Sequence, residues 1–320
     1  MSDLPVIDIA PLFAANGDPA AVDSTIADAL QQTGGFVVTG FPGGKVLDGR
    51  ARRLLRFFDM PEARKQGVAT RRVGSDRGNT YRGYINLIGD ADFATSEMYD
   101  IGPFRPRPAP GVRGVEILTE MNAWPAEEPY GGWQREMRVH YVELREVAVA
   151  VMLSAGRGLG MDVSGLAAAF HGDNSTMRLL NYPSGRETPA AAGDEPVLAS
   201  QRHTDGAGVS LLWQREPGLQ AEGPDGVWRD VPQYPGSISV HLGDLLEMMT
   251  GGRIAATPHR VIDHGGERRS VGFFLEPSLG ASVNGSGELC DTYAWRLLER
   301  LRSYPSMQDL VPAPEALAGT

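Results

Sequence analysis

Of the six histidines of this 320-residue chain, His203 is placed for chemistry by an aspartate two positions on, in His203-Thr204-Asp205. Residues i and i+2 of an extended segment project to the same side, so the pair can offer an imidazole nitrogen and a carboxylate oxygen to one ion. His259, in Thr257-Pro258-His259-Arg260-Val261, is the candidate for a third ligand from another strand. Such a set holds a metal from one face and leaves three coordination positions open to other molecules. His-x-Asp also arises in hydrogen-bonded turns, so the assignment needs independent support.

Arg268-Arg269-Ser270-Val271-Gly272-Phe273-Phe274 supplies it. On a strand Arg268 and Ser270 share one face, and Val271 and Phe273 lie on the other. A guanidinium beside a hydroxyl in a sandwich interior suits a carboxylate, which arginine holds bidentately. Arg269 reads as a surface residue at the strand end. Two histidines and one carboxylate with three open positions form the arrangement of non-haem Fe(II) oxygenases, in which an organic co-substrate and O2 must both reach the iron.

Other candidate sites are weaker. His241 reads as a core histidine satisfied by hydrogen bonds. His140-Tyr141-Val142-Glu143 is a single copy of a pattern that needs partners to bridge metals, and His171 and His264 lie in polar stretches where exposure is expected. Cys290 is the sole cysteine, which excludes an intrachain disulfide and a cysteine-based zinc cluster. Gly156-x-Gly158-x-Gly160 follows a helix instead of a strand and reads as a helix terminator, not a dinucleotide loop. Neither a Gly-x-Ser-x-Gly elbow nor a phosphate loop ending in Gly-Lys-Ser/Thr is present.

The elements that must position these residues change in character midway. Val22, Ile26, Ala29 and Leu30 share a helical face, closed by Gly34-Gly35 before the strand-like Phe36-Val37-Val38. A longer helix is expected over Trp133–Ala155, with Met137, Tyr141, Leu144, Ala148, Val151 and Ala155 along one stripe. From Thr176 the chain shows short β-branched and aromatic runs at Met177–Tyr182, Val209–Trp213, Trp228–Val231, Ser237–His241 and Val271–Leu275. Their spacing, interrupted by a helical pattern only near Asp244–Thr250, predicts an antiparallel sandwich or barrel, best fitted by a jelly roll. Thr188 to Pro196 reads as a loop, Asp291–Ser303 as a final helix, and the tail after Pro305 as disordered.

Composition sets the outer bounds. Hydrophobic residues at 42% and charged residues at 22% describe a folded chain. A net charge of −10 with no sustained basic face excludes a phosphate-tracking nucleic-acid binder. The longest apolar run, Val147–Leu153, is far short of the roughly 20 residues of a membrane span. The opening Met-Ser-Asp-Leu-Pro lacks the features of a signal peptide, so a cytoplasmic protein is expected. A small-molecule substrate is the expected partner, with no membrane, nucleic acid or obligate protein partner.

His203-Thr204-Asp205, Gly218-Leu219-Gln220, Trp228-Arg229-Asp230-Val231, Pro235-Gly236, Leu242-Gly243-Asp244, Pro258-His259-Arg260-Val261 and Arg268-x-Ser270 follow one another in a familiar order and spacing. In these motifs the chain resembles the iron(II)- and 2-oxoglutarate-dependent dioxygenases of the isopenicillin N synthase-like type. The resemblance runs nearly end to end. Leu4-Pro5-Val6-Ile7-Asp8-Ile9 and Gly34-Gly35-Phe36-Val37-Val38 are similar to the family's first two strands, Phe57 to Lys65 to the segment after its early helix, and Arg82-Gly83-Tyr84 to a loop near the substrate.

The resemblance implies an α+β protein with a mainly β core, a double-stranded β-helix (jelly roll) flanked by N-terminal and C-terminal helices. It implies one dioxygenase domain over residues 1–320: a mostly helical part at 1–161, the metal-bearing jelly roll at 176–280, and a C-terminal helix at 290–305. His203, Asp205 and His259 would hold Fe(II), and Arg268 and Ser270 the distal carboxylate of 2-oxoglutarate, with Tyr182 assisting. Arg82 and Tyr84 would approach the substrate; Glu97 and Arg186 are lesser candidates. The implied reaction consumes 2-oxoglutarate and O2, releases succinate and CO2, and oxidises a small organic molecule, with hydroxylation the default.

Two positions depart from the family pattern. Leu180 stands where many members have asparagine, with Asn181 one place later, and His241 precedes Leu242-Gly243-Asp244 where many have asparagine. Three other readings share the ligands: an Fe(II)/O2 oxidase without 2-oxoglutarate, a zinc hydrolase, and a non-catalytic jelly-roll binding protein. Succinate formation separates the first, a general base is missing for the second, and the intact Arg268 argues against the third.

Overall fold

A computed structural model describes residues 4–73, 78–87, 96–107, 116–185 and 196–318 of the protein. The short alternating runs become strands in two sheets. The larger has the order β1 (Val6–Asp8), β2 (Gly35–Thr39), β10 (Ile238–Leu242), β7 (Val209–Gln214), β12 (Arg268–Leu275), β5 (Thr176–Tyr182), β4 (Glu97–Ile101), β3 (Tyr84–Asn86). Its pairs are antiparallel apart from β1 with β2. The smaller sheet has the order β6 (Leu198–His203), β11 (His259–Ile262), β8 (Leu219–Glu222), β9 (Trp228–Asp230), all antiparallel.

The period of two along each strand divides the large sheet into two faces. On β12, Val271 and Phe273 join the main core, while Tyr182, opposite Arg268, packs with Ala199, Leu219 and Val261 of the small sheet. This sandwich of facing antiparallel sheets is the jelly roll that strand spacing predicts.

The helices are α1 (Ala20–Thr33), α2 (Gly44–Leu54), α3 (Glu62–Gln66), α4 (Trp133–Gly158), α5 (Ser164–Ala169), α6 (Asp244–Met249) and α7 (Tyr293–Ser303). The stripe Met137, Tyr141, Leu144, Ala148, Val151 and Ala155 buries α4 against the outer face of the large sheet, as its spacing requires. No helix among the described residues is long and apolar enough to cross a membrane.

Three expectations are corrected. Gly156 and Gly158 lie inside α4, and Gly160, with φ +67°, ends it. A β-carbon on Gly158 would strike the Asp23 carbonyl of α1, so these glycines serve close helix packing. The tail after Pro305 is ordered through residue 318, because Met307, Val311 and Leu317 bury themselves against α7. Strands β3, β4, β6, β8 and β11 are additional to the runs read from composition. Leu198-Ala199-Ser200-Gln201-Arg202-His203 has little β-branched character and becomes a strand through pairing with β11. Of the expected loop, residues 188–195 lie outside the described residues.

Candidate active site

His203 ends β6 and His259 begins β11, and the two are direct partners in the antiparallel register. Their rings stand 4.3 Å apart. Asp205 follows β6 and brings its carboxylate between them, with Oδ1 3.8 Å from His203 Nε2 and Oδ2 3.6 Å from His259 Nε2. One ligand atom from each residue lies within 4.8 Å of the others.

Backbone carbonyls set the orientation of both imidazoles. His203 Nδ1 donates to the Gln201 carbonyl at 2.7 Å and His259 Nδ1 to the Thr257 carbonyl at 3.0 Å. A carbonyl can only accept, so the proton sits on Nδ1 and the Nε2 lone pair faces the carboxylate. Thr257 is itself tied to Gly34 and Leu242 through its hydroxyl. The turn after Asp205 is pinned from below: the Asp244 N–H donates to the Asp205 carbonyl at 2.8 Å, and a β-carbon on Gly243 would strike the Asp205 and Ala207 carbonyls. This close approach explains why a Gly-Asp pair follows β10.

Asp205 Oδ2 is buried and has no hydrogen-bond donor among the described residues. An orphaned carboxylate oxygen is costly unless a cation takes it. Burial works to raise the Asp205 carboxyl, but His259, His203 and Ser210 more than offset it and hold it below the usual range. Burial and then His259 depress His203. Both residues thus favour the forms that bind metal, and the trio fits a divalent transition ion. His241 lies 4.9 Å from His259 ring to ring and is pushed by burial, then by His259, to about 3. Its Nε2 meets Ser239 Oγ at 3.2 Å, but Nδ1 has no partner among the described residues, so it is a half-satisfied core histidine.

Arg268 and Ser270 are buried on the face of β12 turned to the small sheet. Arg268 stands across from Tyr182, its guanidinium 5.6 Å from the ring centre, and Nη2 donates to the Gln214 side-chain oxygen. Gln214, opposite Ser270 on β7, is a member of this cradle that sequence motifs did not single out. Arg269 points the other way, to Asp59, Glu267 and Asn181. Asn181 also donates to Glu97, so the asparagine next to Leu180 faces away from the site.

A cavity of about 180 Å³ opens beside Asp205, Gly206 and Ala207. Its apolar wall includes Ile85, Leu87, Met98, Phe274 and Leu297, and its polar groups include Arg178, Glu276 and Arg300. Arg82 and Tyr84 are not in that wall. Alternation along β3 aims Ile85 at the cavity and turns Tyr84 to the opposite face, where its hydroxyl donates to Glu97 at 2.6 Å. Arg82 is fully buried and donates to the Asn174 carbonyl at 2.6 Å and to Thr176 Oγ1 at 3.3 Å. Glu97 is also enclosed, bonded to Lys65, Tyr84 and Asn181. Arg186 lies outside the described residues. The cavity arginines were missed because they come from β5 and α7, far apart in sequence and without a shared motif.

Comparison with known proteins agrees with this geometry. Residues 174–277 match the model of the 2OG-Fe(II) oxygenase superfamily, and residues 4–127 that of the non-haem dioxygenase in morphine synthesis N-terminal family. A 2-oxoglutarate-dependent dioxygenase of Didymella fabae is 30% identical over 292 residues, covering 85% of each chain. A 2-oxoglutarate-Fe(II) type oxidoreductase, hxnY, of Emericella nidulans is 29% identical over 281 residues, covering 85% of this chain and 78% of the relative. The fold matches that of a Neurospora crassa protein solved in complex with alpha-KG and 5-formyluracil, at TM-score 0.68 and 22% identity over 88% of this chain and 86% of that one. With the relatives spanning both halves of the chain, the protein belongs to the 2-oxoglutarate- and iron(II)-dependent oxygenase superfamily and is a dioxygenase that uses Fe(II), 2-oxoglutarate and O2.

Proposed function

We propose that His203, Asp205 and His259 are the iron ligands, that Arg268 and Ser270, with Tyr182 beside them, receive the distal carboxylate of 2-oxoglutarate, and that a small organic substrate is hydroxylated in the adjoining cavity. The observation that carries this reading is the Asp205 carboxylate, its Oδ2 buried and donor-free among the described residues, set between two imidazoles whose Nδ1 protons are already committed. When bound, the iron with 2-oxoglutarate and O2 supplies the oxidising chemistry, and succinate and CO2 leave.

The chain's own contribution is positioning. Backbone carbonyls at Gln201 and Thr257 fix the imidazole planes, and the Gly243 contact fixes the Asp205 turn. Gln214 braces the Arg268 guanidinium, which can then meet a carboxylate with two parallel donors. The apolar side of the cavity keeps water from the substrate. We also take residues 1–320 as one domain, supported by β1 and β2 extending the large sheet beside β10 and by α4 packing across it.

Metal analysis of purified single variants tests the ligand set. His203→Ala, Asp205→Ala and His259→Ala should each lose stoichiometric iron and succinate formation, while a surface control such as His264→Ala keeps both. Full iron retention in any one of the three would remove that residue from the set.

A further inference from the structure

Three arginines reach the cavity beside Asp205, and two are already engaged. Arg178 donates from Nε and Nη2 to the two carboxylate oxygens of Asp100 at 2.8 and 2.7 Å. Arg72 donates to Ser306 Oγ at 2.7 Å and lies over the Tyr304 ring. Arg300 differs. It reaches from α7 to the turn that follows Asp205, where a β-carbon on Gly206 would collide with its guanidinium. Among the described residues no carboxylate lies within 4.0 Å of it, its guanidinium makes no hydrogen bond, and the side chain stays accessible through the cavity.

Three acids among the described residues line the cavity and none touches Arg300: Asp100 pairs with Arg178, Asp205 faces His203 and His259, and Glu276 attracts Arg300 only from beyond contact distance. Glu276 accepts from Thr176 Oγ1 at 3.2 Å, and Arg82 Nη2 stands 4.0 Å from it. Arg300 is thus a positive charge with no carboxylate against it among the described residues, beside the Asp205 turn and opposite the apolar side chains of Ile85, Met98 and Phe274. A guanidinium held against an apolar wall is incomplete until an anion arrives. The planar fork fits a carboxylate, and the other two arginines among the described residues that line the cavity are engaged, which favours a single negative charge over a dianion.

Building on the active-site reading above, we propose that the substrate is a small monocarboxylate with an apolar body and that Arg300 binds its carboxylate. Anchored there, the apolar body lies between the hydrophobic wall and the proposed metal position. Gly206 is then required because any side chain would displace the arginine.

Calorimetric titration of the Fe(II)- and 2-oxoglutarate-loaded enzyme without oxygen tests this directly. The probes are phenylacetate, cinnamate and octanoate, each against its primary amide. The acids should bind roughly ten- to a hundredfold more tightly than the amides. R300Q should erase that advantage, and R300E should reverse it, taking phenethylamine over phenylacetate; R300M replaces R300Q if the latter does not fold. Equal binding of acids and amides, an acid preference that survives in R300Q, or no binding by any of the acids overturns the proposal. The visible band of the iron–2-oxoglutarate complex separates the two readings. A wild-type enzyme that forms the band but fails to discriminate acids refutes the Arg300 assignment alone, whereas one that never forms it refutes the site beneath.

Discussion

In its proposed role of receiving the 2-oxoglutarate carboxylate, Arg268 would serve by shape as much as by charge. A lysine keeps the charge but loses the planar fork that Gln214 braces. Arg268→Lys and Arg268→Ala should therefore both raise the 2-oxoglutarate concentration needed for half-maximal succinate release, by about 10- to 100-fold for alanine, with iron content unchanged. An unaltered requirement in Arg268→Ala would remove the residue from the co-substrate site. At this scale much was legible from sequence. The proposed ligands His203, Asp205 and His259, which the fold brings together, could be picked out because metal ligation tolerates few residue types and i, i+2 spacing fixes a shared side. Gln214 and Arg300 carry no such signal; a glutamine or arginine acquires meaning only from what the fold brings against it. Tyr84 shows the converse, since a one-residue offset on β3 turned a plausible substrate contact to the opposite face.

The elements are held by contacts whose cost can be measured. Helix propensity alone favours alanine over glycine in α4, yet a methyl at Gly158 would meet the Asp23 carbonyl and the Ala27 methyl of α1. Gly158→Ala should accordingly destabilise the protein by about 1–3 kcal/mol in urea unfolding, and a gain in stability would show that α1 shifts freely. The same helix buries His140, and neither ring nitrogen has a partner among the described residues. Burial, then Arg50, lowers it from 6.5 to about 3. Between those values the unfolded chain binds a proton that the folded protein refuses, so this stability is complete above pH 6.5 and declines as the solution is acidified. The slope is about 1.4 kcal/mol per pH unit. Going from pH 7 to pH 5, wild type should lose about 2 kcal/mol more than His140→Leu; parallel losses would mean that the ring finds a partner. Helices α1 and α4 were readable from their apolar stripes, whereas of the small sheet only β9 was. Its strands are short and mixed in composition, and they exist because β11 pairs on both sides.

Over the whole molecule, the jelly roll sets the proposed iron ligands beside one sheet and the proposed carboxylate cradle on the other, and the C-terminal segment completes the cavity between helix and sandwich. Leu297, Arg300 and Leu301 of α7, with Tyr304 and Met307 beyond it, all face that space. Composition suggested a disordered tail because proline and alanine dominate its end; burial of Met307, Val311 and Leu317 overrides that signal. Met307→Ala should cost about 2–5 kcal/mol, lower the Tm, and widen the cavity without loss of iron; an unchanged Tm would place the tail outside the folded core. Whether one pocket joins iron to 2-oxoglutarate through this particular set of residues is read from the visible spectrum of the oxygen-free protein. Fe(II) and 2-oxoglutarate together should give a weak metal-to-ligand band that neither gives alone and that Arg268→Ala loses at the same concentrations. Iron bound without any such band, or no iron bound at all, would show that these residues do not form a joint site for iron and 2-oxoglutarate.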